Sequence, residues 1–138
     1  FAEFELYTHG EINAGRSLQA ENLENYWLES NRTYYGPALT ADKELASEWS
    51  RIPHFYTPFY VYKYATGYSA ATAFAEAILS GKENAVEKYL GFLKAGGSDY
   101  SLNILKNAGV DLTTPQPVAV TLQKFAQKVQ ELKTLLKL

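Results

Sequence analysis

The amino-acid sequence predicts an all-α protein, a multi-helix bundle in which residues 1–138 form a single helical unit. Glycine and proline divide the chain into segments, and in most segments the apolar residues recur at the three- and four-residue steps of an α-helix. No pair of alternating runs joined by a tight turn predicts a β-hairpin. Residues 59–64 are β-prone in composition, but they lie between Pro58 and an alanine-rich helical run.

Three helices are predicted in the first fifty residues. They cover residues 1–13, about 17–35 and 41–50. Glycine ends the first two, at Gly15 and Gly36, and Thr40 is the predicted N-cap of the third. His9 lies on the acidic first helix and is interpreted as a surface residue.

Four more helices are predicted after the proline at position 53. They cover about 58–80, 83–95, 98–106 and the segment after Thr113-Thr114-Pro115-Gln116-Pro117. Pro58 suits the first turn of a helix, because the amide hydrogen that proline lacks would have no partner there. Glu76 lies on an otherwise apolar helix, either as a buried, hydrogen-bonded carboxylate or, as we favour, at an exposed position.

The last helix has the most regular apolar pattern. Its seam consists of Val118, Leu122, Phe125, Val129, Leu132 and Leu136, at alternating steps of four and three residues. We favour packing of this seam against the core of the bundle, and dimerisation through it is the alternative. If the chain is part of a longer protein, the seam, Phe1 and Phe4 are the expected exposed apolar surface.

Composition excludes several classes of function. The net charge is −2 and the basic residues are scattered, so nothing in the charge favours nucleic acid as a partner. No apolar run reaches the length of about 18 residues that predicts a membrane span. There is no cysteine, which excludes thiolate metal ligands and thiol nucleophiles. With two histidines and no His-x-x-x-His spacing, we expect no metal site within this chain.

One stretch is unusually rich in tyrosine. Residues 52–68, IPHFYTPFYVYKYATGY, contain five of the eleven tyrosines and one of the two histidines. On a helix from Pro58, Tyr60, Tyr64 and Tyr68 follow four-residue steps, and Tyr56 falls in the same register if the helical path extends back. Such rings share an arc of about 120° on one helix face.

Phenol hydroxyls on one face, with His54 nearby, suit the binding of a carbonyl oxygen or a developing oxyanion. An unperturbed tyrosine has a pKa of ~10 and is therefore a proton donor near neutral pH. A donor at an oxyanion is worth about 3–4 kcal/mol in an acyl-transfer transition state. The alternative is that the tyrosines line a wet edge of the bundle, with their hydroxyls in solvent.

Three segments carry a resemblance to a known family. They are FAEFELYTHGEINAG (1–15), IPHFYTPFYVYKYATGYSAA (52–71) and YLGFLKAGGSDYSLNILKNAGVDLTTPQP (89–117). Together they resemble the C-terminal part of the oligoendopeptidase F group of zinc metallopeptidases, a family that also includes thimet oligopeptidase. The resemblance covers essentially the whole chain.

The resemblance implies a hydrolase of short peptides with an all-helical catalytic domain, located in the cytoplasm. In this family zinc is held by the two histidines of His-Glu-x-x-His and by a later glutamate, and the motif glutamate is the general base. The motif is absent from these 138 residues. We therefore expect a C-terminal piece that is inactive alone, whose partners are short peptides and the upstream part of the same polypeptide.

The resemblance also implies roles for individual residues. His54 matches the family's substrate-facing histidine, and Tyr60 and Tyr64 match the two tyrosines that follow it. Tyr60 is the first choice for the oxyanion donor, although the spacing varies in the family. Thimet-type members carry a further tyrosine where this chain has Gly67. Tyr56, Tyr64 and Tyr68 are the predicted substrate-binding residues.

Other functional interpretations are kept. One is a stand-alone helical module that binds a peptide or an aromatic ligand through the tyrosine face. Another is a structural domain that dimerises through the last helix.

Overall fold

The computed structural model describes residues 1–138 and contains helices and no strands, which confirms the all-α class. Its backbone divides into two compact units, residues 1–63 and 64–138. The single helical unit predicted from the sequence stays a prediction. None of the helices combines the length and the apolar character that crossing a bilayer requires.

The first unit begins with two α-helices followed by two 3₁₀ helices. Helix α1 is Ala2–Asn13 and α2 is Ala20–Tyr35, and the 3₁₀ helices are Lys43–Arg51 and Pro53–Tyr56. Helix α2 begins at a capping box, in which the amide of Gln19 donates to Oδ1 of Asn22 at 3.2 Å. Gly36, with φ +72°, ends it as predicted.

The predicted α-helix over residues 41–50 is wrong in type. The segment is a 3₁₀ helix whose N-cap is Asp42 and not Thr40. A 3₁₀ helix turns once per three residues, and Trp49, near its end, packs against Ile52 in the interior of the unit. Pro53 then holds Ile52 in extended backbone, at φ −87° and ψ 107°, so the helix stops there.

The helix predicted to begin at Pro58 is also placed wrongly. After the turn Pro53–Tyr56 the backbone is extended at Thr57 and left-handed at Phe59, and helix α3 begins only at Tyr62. Tyr60 therefore precedes the helix, and Tyr56 is not in register with it. The expected helical arc of four tyrosines does not form.

An aromatic cluster is the core of the first unit. Phe4, Trp27 and Ile52 are buried, and Leu23, Tyr26, Trp49 and Phe55 pack around them. The Phe4 ring lies 5.2 Å from Trp27, edge to face, and 4.9 Å from Phe55. Pairs of this kind add about 0.5–1.5 kcal/mol each beyond their buried area. The expectation that Phe4 is exposed is wrong, whereas Phe1 is exposed.

Helix α3, Tyr62–Leu79, leads into the second unit, which ends with three more helices. They are α4 (Ala85–Ala95), α5 (Ser101–Asn107) and α6 (Gln116–Leu136). The core consists of Ala70, Phe74, Ala108 and Val110, with Tyr89 and Phe92 against it. Small residues on α3 leave room for the two rings of α4, whose centroids lie 5.3 Å from that of Phe74.

The apolar seam of α6 does not pack against the core of this unit. Val118, Leu122, Phe125, Leu132 and Leu136 are exposed in the chain. On the opposite side Pro117 is buried and Val120 is half-buried, and Lys124 on that side contacts Glu76 at 2.9 Å. The favoured interpretation of the seam is therefore wrong. Glu76 is half-buried and paired, rather than freely exposed.

A matched pair of substitutions tests the aromatic core. Ile52→Val removes one buried methyl group and should lower the free energy of unfolding by about 0.5–1.5 kcal/mol. Ile12→Val makes the same change at an exposed position of α1 and should stay within about 0.5 kcal/mol. Urea denaturation followed by circular dichroism measures both. Equal effects of the two substitutions would contradict the assigned core.

Asp111 supports a second prediction, because it organises the connection to α6. The Thr113 hydroxyl, Lys106 and the Thr113 amide donate to its carboxylate and lower its pKa to about 2. A lowered folded-state pKa contributes stability above the unfolded value, and this stability is lost as the pH falls toward 2. NMR titration should give a midpoint of about 2, and Thr113→Val should raise it toward 3.8. An unchanged midpoint in Thr113→Val would contradict this cause.

Candidate functional site

The second 3₁₀ helix positions His54. Pro53 occupies the first position of this turn, where its fixed φ suits helical backbone, and Phe55 anchors the turn in the aromatic core. His54 is half-buried and its ring stacks on Tyr60, with centroids 5.8 Å apart and planes 14° from parallel. The structure therefore brings together the two residues predicted as catalytic.

Tyr60 lies in the turn that precedes α3 and is 39% exposed. The ammonium group of Lys63 lies 5.4 Å from its ring centroid, within the range of a cation–π interaction. The Lys63 amide also donates to the Tyr60 carbonyl, at 3.1 Å. The Tyr60 ring thus has both an imidazole and a cation as neighbours. Lys63 was not predicted as part of the site, although it lies three residues after Tyr60 within the tyrosine-rich stretch.

Tyr56 makes a hydrogen bond of its own, to the backbone of the first 3₁₀ helix. Its hydroxyl donates to the Ser50 carbonyl at 2.8 Å, and the ring is exposed. A hydroxyl has one hydrogen, so in this arrangement Tyr56 can only accept a hydrogen bond from a ligand. The prediction that Tyr56 and Tyr60 share a helix face is wrong, because α3 begins only at Tyr62.

Tyr64 and Tyr68 lie four residues apart on one face of α3. Both rings are largely exposed, at 60% and 70%. Gly67, where a further tyrosine was considered, also lies within this helix and has open space around it. The predicted register of this part of the tyrosine block is therefore correct.

Metal ligands are not assembled in this chain. No three histidine, cysteine or acidic side chains lie close enough together to hold a metal ion. His9 packs its ring 4.5 Å from that of Phe59 and is half-buried, so its interpretation as a plain surface residue is wrong. The residues present do not fit a zinc site.

Comparison with known proteins establishes the family to which this helical chain belongs. The chain is a member of peptidase family M3, because the sequence model of that family matches residues 1–124. It is 47% identical to oligopeptidase PepF of Bacillus subtilis over 99% of the chain, and 42% identical to group B oligopeptidase PepB of Streptococcus agalactiae over 98% of the chain.

A solved structure gives the same relationship. The chain is similar to oligoendopeptidase-F from Enterococcus faecium, with a TM-score of 0.95 and 45% identity over 99% of the chain. It spans 26% of that protein, and 20% and 22% of the two oligopeptidases. The fold and the family are therefore shown for a segment about one quarter to one fifth as long as these relatives.

Proposed function

We propose that this chain is the C-terminal part of a cytoplasmic, zinc-dependent oligoendopeptidase, in which it forms the substrate-binding wall. The observation that carries the proposal is the stacked pair of His54 and Tyr60 beside Lys63, in a chain that belongs to peptidase family M3. The named relatives are oligopeptidases and an oligoendopeptidase. Short peptides are accordingly the proposed substrates.

The chemistry proposed for Tyr60 is hydrogen-bond donation to the carbonyl oxygen of the scissile peptide. Negative charge develops on that oxygen as the carbonyl becomes tetrahedral, so a donor held in place before the reaction stabilises the transition state more than the substrate. Stacking restricts both rings, which lowers the entropy lost on reaching the reactive geometry. Tyr60 is assigned to the oxyanion and His54 to orienting the ring and binding the peptide.

The exposed phenols are assigned to the peptide backbone. Tyr64 and Tyr68 present hydroxyls on one face of α3, where they can bind amide groups of an extended peptide. Tyr56 donates to Ser50 and would accept from a substrate N–H. Zinc and its general base are assigned to another part of the polypeptide, because the side chains of this chain form no site for the metal.

Tyr60→Phe in the full-length peptidase tests the oxyanion assignment. The phenyl ring still stacks on His54, but the donor is lost. We expect kcat to fall by about 10²–10³-fold while KM changes little, as for the loss of one oxyanion donor. Steady-state hydrolysis of a quenched fluorescent peptide measures both parameters.

Tyr100→Phe is the matched control, because Tyr100 is a highly exposed tyrosine at the start of α5. It should keep both kinetic parameters of the unsubstituted enzyme. If Tyr60→Phe also keeps the original kcat, Tyr60 does not have the proposed role.

Metal removal tests the assignment of the whole protein. The full-length protein should purify with about one zinc, lose peptide hydrolysis after dialysis against a chelator and regain it with added zinc. Metal analysis and the same peptide assay measure this. A metal-free product of about the size of this chain that binds peptides without cleaving them would support the stand-alone binding module instead.

A further inference from the structure

The residue before Tyr60 has an unusual backbone conformation. Phe59 has φ +57°, in the left-handed region that favours glycine. A bulky side chain persists there only when its surroundings hold it, and such outliers concentrate at functional sites. The Phe59 ring is itself largely exposed, so burial of the ring does not account for the conformation.

Helix α1 contacts Phe59 at two points. Glu5 accepts the Phe59 amide hydrogen bond through Oε1 at 2.6 Å, and the His9 ring lies 4.5 Å from the Phe59 ring. Glu5 and His9 are four residues apart and therefore share one face of α1. One face of α1 thus holds both the backbone and the ring of Phe59.

Glu5 is almost fully buried, at 4% exposure. Burying a carboxylate is unfavourable unless it gains hydrogen bonds, and a bond to a carboxylate is roughly twice as strong as one between neutral groups. An apolar side chain would fill the same space without this penalty. The presence of a carboxylate at this buried position is therefore best explained by its hydrogen bond with the Phe59 amide.

We propose that Glu5 is a positioning residue for the His54–Tyr60 pair. By holding the Phe59 amide it fixes the left-handed turn, and the turn places the Tyr60 ring against His54. The proposal rests on the proposed function of Tyr60 for its effect on catalysis, but the hold on the turn can be measured separately.

The test substitutes Glu5 in the full-length peptidase. Glu5→Gln keeps an acceptor oxygen and loses the charge, and Glu5→Leu removes the acceptor. Hydrogen exchange of residues 57–61, followed by mass spectrometry, should accelerate by about ten-fold in Glu5→Gln and more in Glu5→Leu, because exchange reports local opening. In Glu5→Gln, kcat should fall by about three- to ten-fold while KM changes less than about two-fold.

Glu3→Gln is the control. It removes the same charge from the same helix, but Glu3 is exposed and accepts the Tyr34 hydroxyl at 2.8 Å, away from the turn. Exchange at residues 57–61 and kcat should both stay unchanged. If Glu5→Leu does not fold, Glu5→Gln alone decides the result.

Two results would overturn the proposal. One is unchanged exchange at residues 57–61 in Glu5→Gln. The other is faster exchange with the original kcat, in an enzyme where Tyr60→Phe does lower kcat. If Tyr60→Phe leaves kcat unchanged, the proposed function of Tyr60 fails, and the exchange measurement still decides whether Glu5 holds the turn.

Discussion

The burial of Phe4 is the interaction on which the first unit depends. Its ring contacts Tyr26 and Trp27 from α2, Trp49 from the first 3₁₀ helix and Phe55 from the second. One side chain of α1 therefore contacts α2 and both 3₁₀ helices. Glu5 follows Phe4 directly and is also buried, at 4% exposure.

This arrangement connects the core to the candidate site through short links. Ile52 is in the core, Pro53 fixes the backbone after it, and His54 follows on the same turn. From the other side, α1 holds Phe59, and Tyr60 is next in the chain. The imidazole and the phenol are thus each one or two residues away from an anchored position. Such rigid support is what a preorganised pair of donors requires.

The sequence was sufficient for the fold class and for most helix limits, because glycine stops and apolar spacing are local signals. Gly15, Gly36, Gly81, Gly96 and Gly109 all end or follow helices with positive φ. The segment from 43 to 61 was not predictable in the same way. Its 3₁₀ geometry and the left-handed Phe59 depend on contacts with α1 and α2.

In the candidate site, too, the residue types could be predicted from the sequence, whereas their arrangement depends on contacts distant in the chain. Residue type and resemblance were sufficient to predict His54 and Tyr60, but their stacking requires a turn at residues 57–61, where a helix was predicted. Glu5 gave no usable signal, since its partner lies 54 positions away in the chain. The seam of α6 was misassigned because Pro117, Val120 and Lys124 follow helical spacing too, and an ion pair with Glu76 selects that face.

Both tryptophans lie in the first unit, so the two units differ in their intrinsic fluorescence. Trp27 and Trp49 are the two tryptophans of the sequence, and both belong to the aromatic core of the first unit. Their indole N–H groups are buried, shielded from solvent dipoles that shift emission to longer wavelength. Intrinsic fluorescence excited at the tryptophan band therefore reports the first unit alone. The second unit has no indole, so it contributes to far-ultraviolet dichroism through its backbone but not to emission excited in the tryptophan band. Following both signals during one denaturation resolves whether the two units unfold together.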